Sequence, residues 1–211
     1  MDQLAKLTGR HYKLFDYVGH QHAERVIVMM GSGVGAAEEA IEKMNADGER
    51  VGVIGHSAGA VSAILSAARN PLIGAVVAAS PYPSMEEIWN SNRPAFFPKA
   101  LYDLTFRLVE LRKRFSRQEV RPQDVISQIA PRPILIVHSK GDQRISYRQA
   151  MSLFSAAREP KTLWLVRNAS HGEVRSVVLD EQIENIIAFF DEAFSRIAHP
   201  AYSARTIRVA D

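Results

Sequence analysis

A single serine lies between two glycines in residues 55–59, which read GHSAG. The apolar run RVGVI ends just before this stretch, and the helix-forming run AVSAILSAAR begins at its end. A strand, the pattern G-x-S-x-G and a helix, in this order, make a sharp turn that exposes the serine as a nucleophile. Gly55 and Gly59 leave room for the close approach of strand and helix. The pattern therefore predicts that Ser57 attacks an acyl carbon.

A serine hydroxyl needs a base, and in this architecture an acid and then a histidine follow the serine along the chain. Asp142 follows the apolar run PILIVH, and His171 follows the run TLWLV. Both lie beyond strand ends, where α/β sheets place their sites. Asp124 and Asp180 are competing acids, but neither follows a strand end. We predict that His171 takes the proton from Ser57 and returns it to the leaving group, while Asp142 orients the imidazole.

The other parts of the predicted site are backbone amides. Ala58 begins the helix after the serine, so its amide can stabilise an oxyanion. The loop GSGVG, residues 31–35, follows the preceding apolar run and can supply a second amide, with Ser32 or Gly33 as the donor. This loop lacks the full G-x-G-x-x-G pattern, so it does not predict a dinucleotide site. His56 and His138 are assigned structural roles only.

Five apolar runs are each too continuous for simple alternation, which is typical of buried parallel strands. Helical patterns lie between and after them, so the chain is predicted to be an α/β protein with a mostly parallel sheet and right-handed crossovers. The predicted strands are 25–30, 50–54, 73–79, 133–138 and 162–166. The predicted helices are 36–45, 58–69, 101–115, 147–158 and 179–196.

The length of 211 residues suits one domain, 1–211, with an insertion. Residues 81–131 carry no strand signal and are rich in proline and aromatic residues, so they are predicted to form a helical cap or lid. Within this cap, Trp89, Phe96 and Phe97 either line a substrate pocket or pack the cap on the core. The polar tail, 199–211, is predicted to be irregular and to fray.

Composition excludes several classes of function. The formal net charge of +3 is too small to indicate a nucleic-acid partner. A basic stretch at 105–121 is either one solvated helix face or a rim for anionic ligands or lipid. The chain has no cysteine, which excludes disulfides and thiolate metal sites, and we expect no metal and no cofactor. We find no signal peptide and no run of about 20 apolar residues, so a cytoplasmic location without a membrane span is the default.

The motifs GHSAG, ILIVHSKGD and NASHG, in this order, resemble the α/β-hydrolase family over residues 52–196. The resemblance implies a serine carboxylesterase with a helical cap that cleaves small to medium acyl or aromatic esters without a cofactor. The alternatives are a thioesterase, amidase or peptidase with the same three residues, or a non-catalytic binding protein.

The front of the chain departs from this family. Residues 4–54, with LTGRHYKLFDYVG and AERVIVMMGSG, resemble an internal domain of pyruvate:ferredoxin oxidoreductases. We therefore predict a chimera with a join near residues 54–55. Without cysteines the borrowed stretch cannot hold an iron–sulfur cluster.

The chimera implies a sheet that is reduced at its N-terminal side. One face would then be covered by the helix 179–196 alone, and the strand 25–30 would lie near a sheet edge. Exposed apolar edges and faces tend to be buried against another chain. We predict a homodimer or higher oligomer formed through the N-terminal half.

Overall fold

A computed structural model describes residues 26–29, 51–113, 116–178, 183–198 and 206–209. The described part contains one sheet of six strands, all parallel, whose spatial order is the same as their order along the chain. The strands are β1 (Val26–Met29), β2 (Val51–His56), β3 (Ile73–Ala79), β4 (Ile134–Ser139), β5 (Lys161–Val166) and β6 (Thr206–Val209).

Helices connect these strands. Those in the described part are α1 (Ala58–Arg69), α2 (Met85–Ser91), α3 (Lys99–Lys113), α4 (Pro122–Val125), α5 (Tyr147–Ala156), α6 (Glu173–Ser176) and α7 (Ile183–Ala198), with 3-10 turns at Arg117–Glu119 and Ile126–Gln128. The parallel sheet with helices on both faces confirms the predicted α/β-hydrolase-like fold. The predicted helix 36–45 lies outside the described residues.

Alternation along β2 divides the core into two layers. Val51 and Val53 belong to the apolar layer that packs against α1 and α5, while Ile54 belongs to the layer on the opposite face. Gly52 lies on that opposite face, and a Cβ placed there would be 2.2 Å from Cε1 of Phe190. A larger residue at position 52 would therefore push α7 away from the sheet.

The opposite face is covered, within the described part, mainly by α7. Its residues Ile186, Phe190 and Ala193 pack against the sheet, together with Val174 of α6 and Val178. The expectation that the helix 179–196 alone covers this face therefore holds only in part, because α6 and Val178 also contribute. The two edge strands of the described sheet are β1, which pairs only with β2, and β6. The position of β1 at an edge agrees with the prediction.

Part of the C-terminal tail differs from the sequence-based prediction. Residues Thr206–Val209, predicted to be irregular, form β6, which pairs in parallel with β5. Thr, Ile and Val favour strands, but four residues cannot form a stable strand alone. The edge of β5 provides the missing hydrogen-bond partners, so tertiary pairing outweighs the weak local signal.

The segment 81–131 holds helices and 3-10 turns and no strand among its described residues. Helix α2 begins at an N-cap serine, Ser84, whose hydroxyl accepts a hydrogen bond from the amide of Glu87. The ring of Trp89 lies 4.3 Å from the rings of both Tyr102 and Phe106, which joins α2 to α3. That this segment acts as a lid stays a prediction.

No helix in the described ranges is both long and apolar enough to cross a bilayer.

Candidate active site

Ser57 lies at the turn between β2 and α1. Its φ of 56° and ψ of −118° lie in a region that non-glycine residues rarely adopt. A Cβ at Gly55 would be 2.1 Å from the carbonyl oxygen of Gly59, so only glycine fits there. The amide of Ser57 donates to the carbonyl of Ala79 at 2.8 Å, which holds the turn against β3. The local structure is the strained turn that the G-x-S-x-G pattern predicts.

The hydroxyl of Ser57 does not cap the helix that it precedes. Serine at this position commonly accepts a hydrogen bond from the first turn, and here it accepts none. The amides of Ala60 and Val61 donate to the Ser57 carbonyl instead. The amides of Ala58 and Gly59 lie in the first turn of the helix, where no intrahelical carbonyl is available as an acceptor. They therefore point outward from the helix start.

The side chains of Ser57, His171 and Asp142 form one chain of hydrogen bonds. Nε2 of His171 lies 3.0 Å from Oγ of Ser57, and Nδ1 of His171 lies 2.7 Å from Oδ2 of Asp142. Since Asp142 accepts at Nδ1, the imidazole carries its proton there and can accept the serine proton at Nε2. The three residues, far apart in sequence, meet at the carboxyl edge of the sheet.

The second oxygen of Asp142 is held by the backbone. Its Oδ1 accepts hydrogen bonds from the amides of Arg144 and Ile145, both at 2.9 Å. Burial raises the pKa of Asp142, but the hydrogen bonds from Ile145, His171 and Arg144 together outweigh burial and leave the pKa lowered. Asp142 is therefore ionised at neutral pH and aimed at Nδ1 of His171.

The competing acids do not reach this position. Asp124 is exposed and pairs with Arg121 at 2.6 Å. Asp180 lies outside the described residues.

His138, at the end of β4, has a partner that the sequence did not reveal. Its Nε2 lies 2.8 Å from the carbonyl oxygen of Ile145 and 3.5 Å from Oδ2 of Asp142. The ring is fully buried, and this burial lowers the pKa of His138 despite the nearby carboxylate. His138 is therefore neutral, and its N–H donates to the backbone of the turn that carries Asp142.

Ser139 links the two loops that carry Asp142 and His171. Its hydroxyl oxygen accepts hydrogen bonds from the amides of Gly141 and Ala169, each at 3.0 Å. A Cβ at Gly141 would be 3.0 Å from Cα of Asn168, so the loops touch closely. The sequence analysis missed Ser139. The signal was a polar residue that ends a buried strand.

His56 contacts His171 directly. Its Nε2 lies 2.9 Å from the carbonyl oxygen of His171, and the two ring centroids are 4.9 Å apart. The residue that precedes the serine therefore also holds the loop of the histidine. His56 and Ser139 each end a strand and bind the backbone of the loop that carries His171, whereas His138 binds the loop that follows its own strand.

The remaining predicted site residues have mixed positions. Ser32 and Gly33 lie outside the described residues. Trp89 packs against Tyr102 and Phe106, and the ring of Phe97 lies 6.0 Å from Tyr102. Phe96 is 86% exposed. In the described ranges, no group of three or more His, Cys, Asp or Glu residues could hold a metal ion.

The N-terminal quarter of the chain is similar to a different class of protein. A stretch of 54 residues, 26% of the chain, is 57% identical to the pyruvate-flavodoxin oxidoreductase of Rhodospirillum rubrum. The chain spans only 4% of the length of that relative. This match supports the interpretation of the chain as a chimera.

Solved structures of similar fold cover most of the chain. The 2,6-dihydroxy-pseudo-oxynicotine hydrolase is 18% identical, with a TM-score of 0.58 over 84% of this chain and 50% of its own. A monoacylglycerol lipase from Paleococcus ferrophilus is 17% identical, with a TM-score of 0.56 over 76% of this chain and 74% of its own. At these identities the likeness shows the fold alone.

The sequence profile of the prolyl oligopeptidase family matches residues 33–196. The match begins before the predicted join at 54–55, so the segment that precedes β2 is compatible with this family as well. It includes Ser57, Asp142 and His171 in the order that the α/β-hydrolase fold requires. The chain belongs to the prolyl oligopeptidase family.

Proposed function

We propose that this protein hydrolyses small to medium acyl or aromatic carboxylic esters through an acyl-enzyme intermediate. The observation that carries the proposal is the hydrogen-bonded chain from Ser57 through His171 to Asp142, with contacts of 3.0 and 2.7 Å. A serine at a strained turn, a histidine base and a buried carboxylate together make a hydroxyl nucleophilic at neutral pH.

In the first half of the reaction, Oγ of Ser57 attacks the ester carbonyl carbon while Nε2 of His171 takes the hydroxyl proton. The carbonyl oxygen becomes an oxyanion in the tetrahedral intermediate. Collapse of the intermediate breaks the bond to the alcohol oxygen, and Nε2 returns the proton to that oxygen. Asp142 stabilises the imidazolium without taking a proton.

In the second half, a water molecule replaces the alcohol. Nε2 of His171 takes a proton from the water as its oxygen attacks the acyl carbon. The second tetrahedral intermediate collapses to the carboxylic acid, and the proton passes from Nε2 back to Oγ of Ser57. No cofactor enters either half of the reaction.

Two backbone amides stabilise the oxyanion in this proposal. The amide of Ala58 lies at the start of α1, where the helix dipole adds a partial positive charge. The second donor is the amide of Ser32 or Gly33. Loss of one such donor in other serine hydrolases lowers the turnover number by about 10²–10³-fold, so both amides matter.

The aromatic residues of the cap supply the acyl or alcohol pocket in this proposal. Trp89 and Phe97 belong to the ring cluster around Tyr102, and Phe96, the residue before Phe97, has an exposed ring. Rings of this kind bind apolar acyl chains or aromatic alcohols better than charged groups.

A peptidase or amidase is the second candidate, and the family itself favours it, because the prolyl oligopeptidase family is named for peptide cleavage. The same three residues would act on an amide, with protonation of the leaving amine by His171. A thioesterase would use identical steps with a thiol leaving group.

The first experiment tests for a reactive serine. The purified chain is treated with a fluorophosphonate, and the adduct is measured by intact mass. We expect one adduct in the wild type and none in Ser57→Ala, with Ser62→Ala as a labelled control on the same helix. An unlabelled wild type would support a non-catalytic binding protein and overturn the proposal.

The second experiment separates the substrates. Initial rates are measured on p-nitrophenyl esters of graded acyl length, on aminoacyl anilides and on acyl-coenzyme A. We expect kcat/KM to be highest on an ester of short or medium length. A higher kcat/KM on an anilide would replace the esterase with the peptidase.

A further inference from the structure

Helix α3 packs on the protein through its polar and aromatic side, and its leucines point away. Phe106 is buried, Tyr102 stacks on Trp89, and Glu110 binds Arg117. The leucines on the other side are exposed by about half or more of their surface. Their exposed fractions are 49% for Leu101, 51% for Leu104, 58% for Leu108 and 77% for Leu111.

The four leucines form one continuous stripe. Their spacings of three, four and three residues place them on one face of a helix, along about 15 Å of its axis. An amphipathic helix of a folded protein normally turns such a stripe toward the core. Among the described residues the stripe is exposed and packs on no core cluster, which is typical of a surface that binds a partner.

Arginines border the stripe on both sides. At 100° per residue, Arg107 lies beside Leu111 on one side of the leucines, and Arg112 lies beside Leu101 on the other. Both arginines are exposed. The acidic residues of α3 lie on the side of the helix away from the leucines, where Asp103 is bound by Lys99 and Glu110 by Arg117.

We propose that this outward face of α3 docks on an anionic lipid surface, with its leucines among the acyl chains and its arginines at the headgroup phosphates. Helices that lie in a bilayer interface combine an apolar stripe with flanking basic residues in this way. The charge pattern disfavours a second copy of the chain, because two such helices packed along their leucines would bring arginines against arginines. The docking does not depend on the hydrolytic chemistry.

The test is flotation of the purified chain with phosphatidylcholine vesicles that do or do not contain phosphatidylserine. We expect at least about tenfold more bound protein on the anionic vesicles, and a strong decrease when the salt is raised from about 0.1 to about 0.5 M. Equal binding to both kinds of vesicle, or none, would overturn the proposal.

Two double variants separate the contributions. Leu104→Ser with Leu108→Ser is expected to lower vesicle binding at least about tenfold, and Arg107→Gln with Arg112→Gln to remove the preference for anionic vesicles. The matched control is Arg148→Gln with Met151→Ser on α5, which also removes an exposed arginine and an exposed apolar residue. It is expected to bind as the wild type does, and an equal loss in the control would overturn the proposal.

Two further measurements distinguish the outcomes. Hydrolysis of a water-soluble p-nitrophenyl ester should be unchanged in both α3 variants, so a failure of the proposed esterase and a failure of lipid docking give different results. Light scattering without vesicles gives the mass in solution. A dimer in the wild type that becomes a monomer in the leucine variant would overturn the proposal in favour of a second copy.

Discussion

The strand-end loops and helix α3 differ in which kinds of side chain they bury and which they expose to solvent. In the loops around Asp142 and His171, buried oxygens accept several hydrogen bonds: Oδ1 of Asp142 and Oγ of Ser139 each accept two from backbone amides. On α3, apolar side chains are exposed and the buried side is partly polar. One region uses hydrogen bonds to hold itself together, and the other leaves apolar surface unused by the described core.

The two regions differ in how precisely their side chains must be positioned. A base must hold its nucleophile within a few tenths of an ångström, and a network of short hydrogen bonds between loops achieves this. A surface that docks on lipid needs only an apolar stripe flanked by basic side chains, without exact interatomic distances. Substitutions in the loops should therefore lower turnover, and also stability where they leave a buried polar group without a partner, while substitutions in the leucine stripe of α3 should affect neither in solution.

The largest effect is expected for Asp142→Asn. The amide can still accept from the backbone at position 145, but its NH₂ group would face Nδ1 of His171 and favour the wrong tautomer. We expect kcat to fall by about 10⁴-fold with little change in the thermal midpoint. Stopped assays and a thermal melt measure both. A loss of less than tenfold would show that Asp142 does not orient the base.

The next effect compares two leucines of different burial. Leu153 of α5 is fully buried, so Leu153→Ala should lower the free energy of unfolding by about 2–5 kcal/mol. Leu108→Ala on α3 removes the same atoms from an exposed position and should change it by less than about 0.5 kcal/mol. Urea denaturation gives both values. A large loss in Leu108→Ala would show that the stripe is buried in the free protein.

Ser139→Ala tests the link between the loops. It leaves the buried amide of Ala169 and the half-buried amide of Gly141 without their acceptor, and a fully buried amide without a partner costs about 1–3 kcal/mol. We expect the free energy of unfolding to fall by about 2–4 kcal/mol and kcat to fall more than KM changes. Ser91→Ala, at an exposed hydroxyl on α2, is the control, and an equally small effect at both positions would contradict the link.

The smallest effect concerns His138 and pH. Burial lowers its pKa in the folded protein, while the unfolded chain titrates near the ordinary value of about 6.5. Below that pH the unfolded state binds a proton that the folded state does not bind. The free energy of unfolding therefore falls as the pH falls, by up to about 1.4 kcal/mol per pH unit.

The measurement is urea denaturation of the wild type at pH 7.5 and 5.5. The loss in free energy of unfolding should be smaller in His138→Gln, which keeps an N–H donor for Ile145 and does not titrate. Asp142 does not obscure this window, because its lowered pKa moves its own loss of stability to more acidic conditions. Equal losses in both proteins would show that His138 titrates normally.

Much of the fold could be predicted because its signals are local. Each of the five predicted strands matches an observed strand within two residues at either end, since continuous apolar runs are typical of parallel strands in a sheet that helices cover on both faces. Strand β6 could not be predicted, because the strand propensity of its four residues is too weak and its formation depends on pairing with the edge of β5. The homo-oligomer and the second oxyanion amide remain predictions about residues 1–50.

The order of Ser57, Asp142 and His171, each beyond an apolar run, is written in the sequence, because strand ends and turns have residue patterns that can be recognised over a few positions. The hydrogen bonds from His56 to the carbonyl of His171 and from the amide of Ala169 to Ser139 were decided by the tertiary structure, since they join residues that are 115 and 30 positions apart. So was the direction of the leucine stripe on α3. Periodicity indicates a helix, but which face packs depends on what the rest of the chain presents to it.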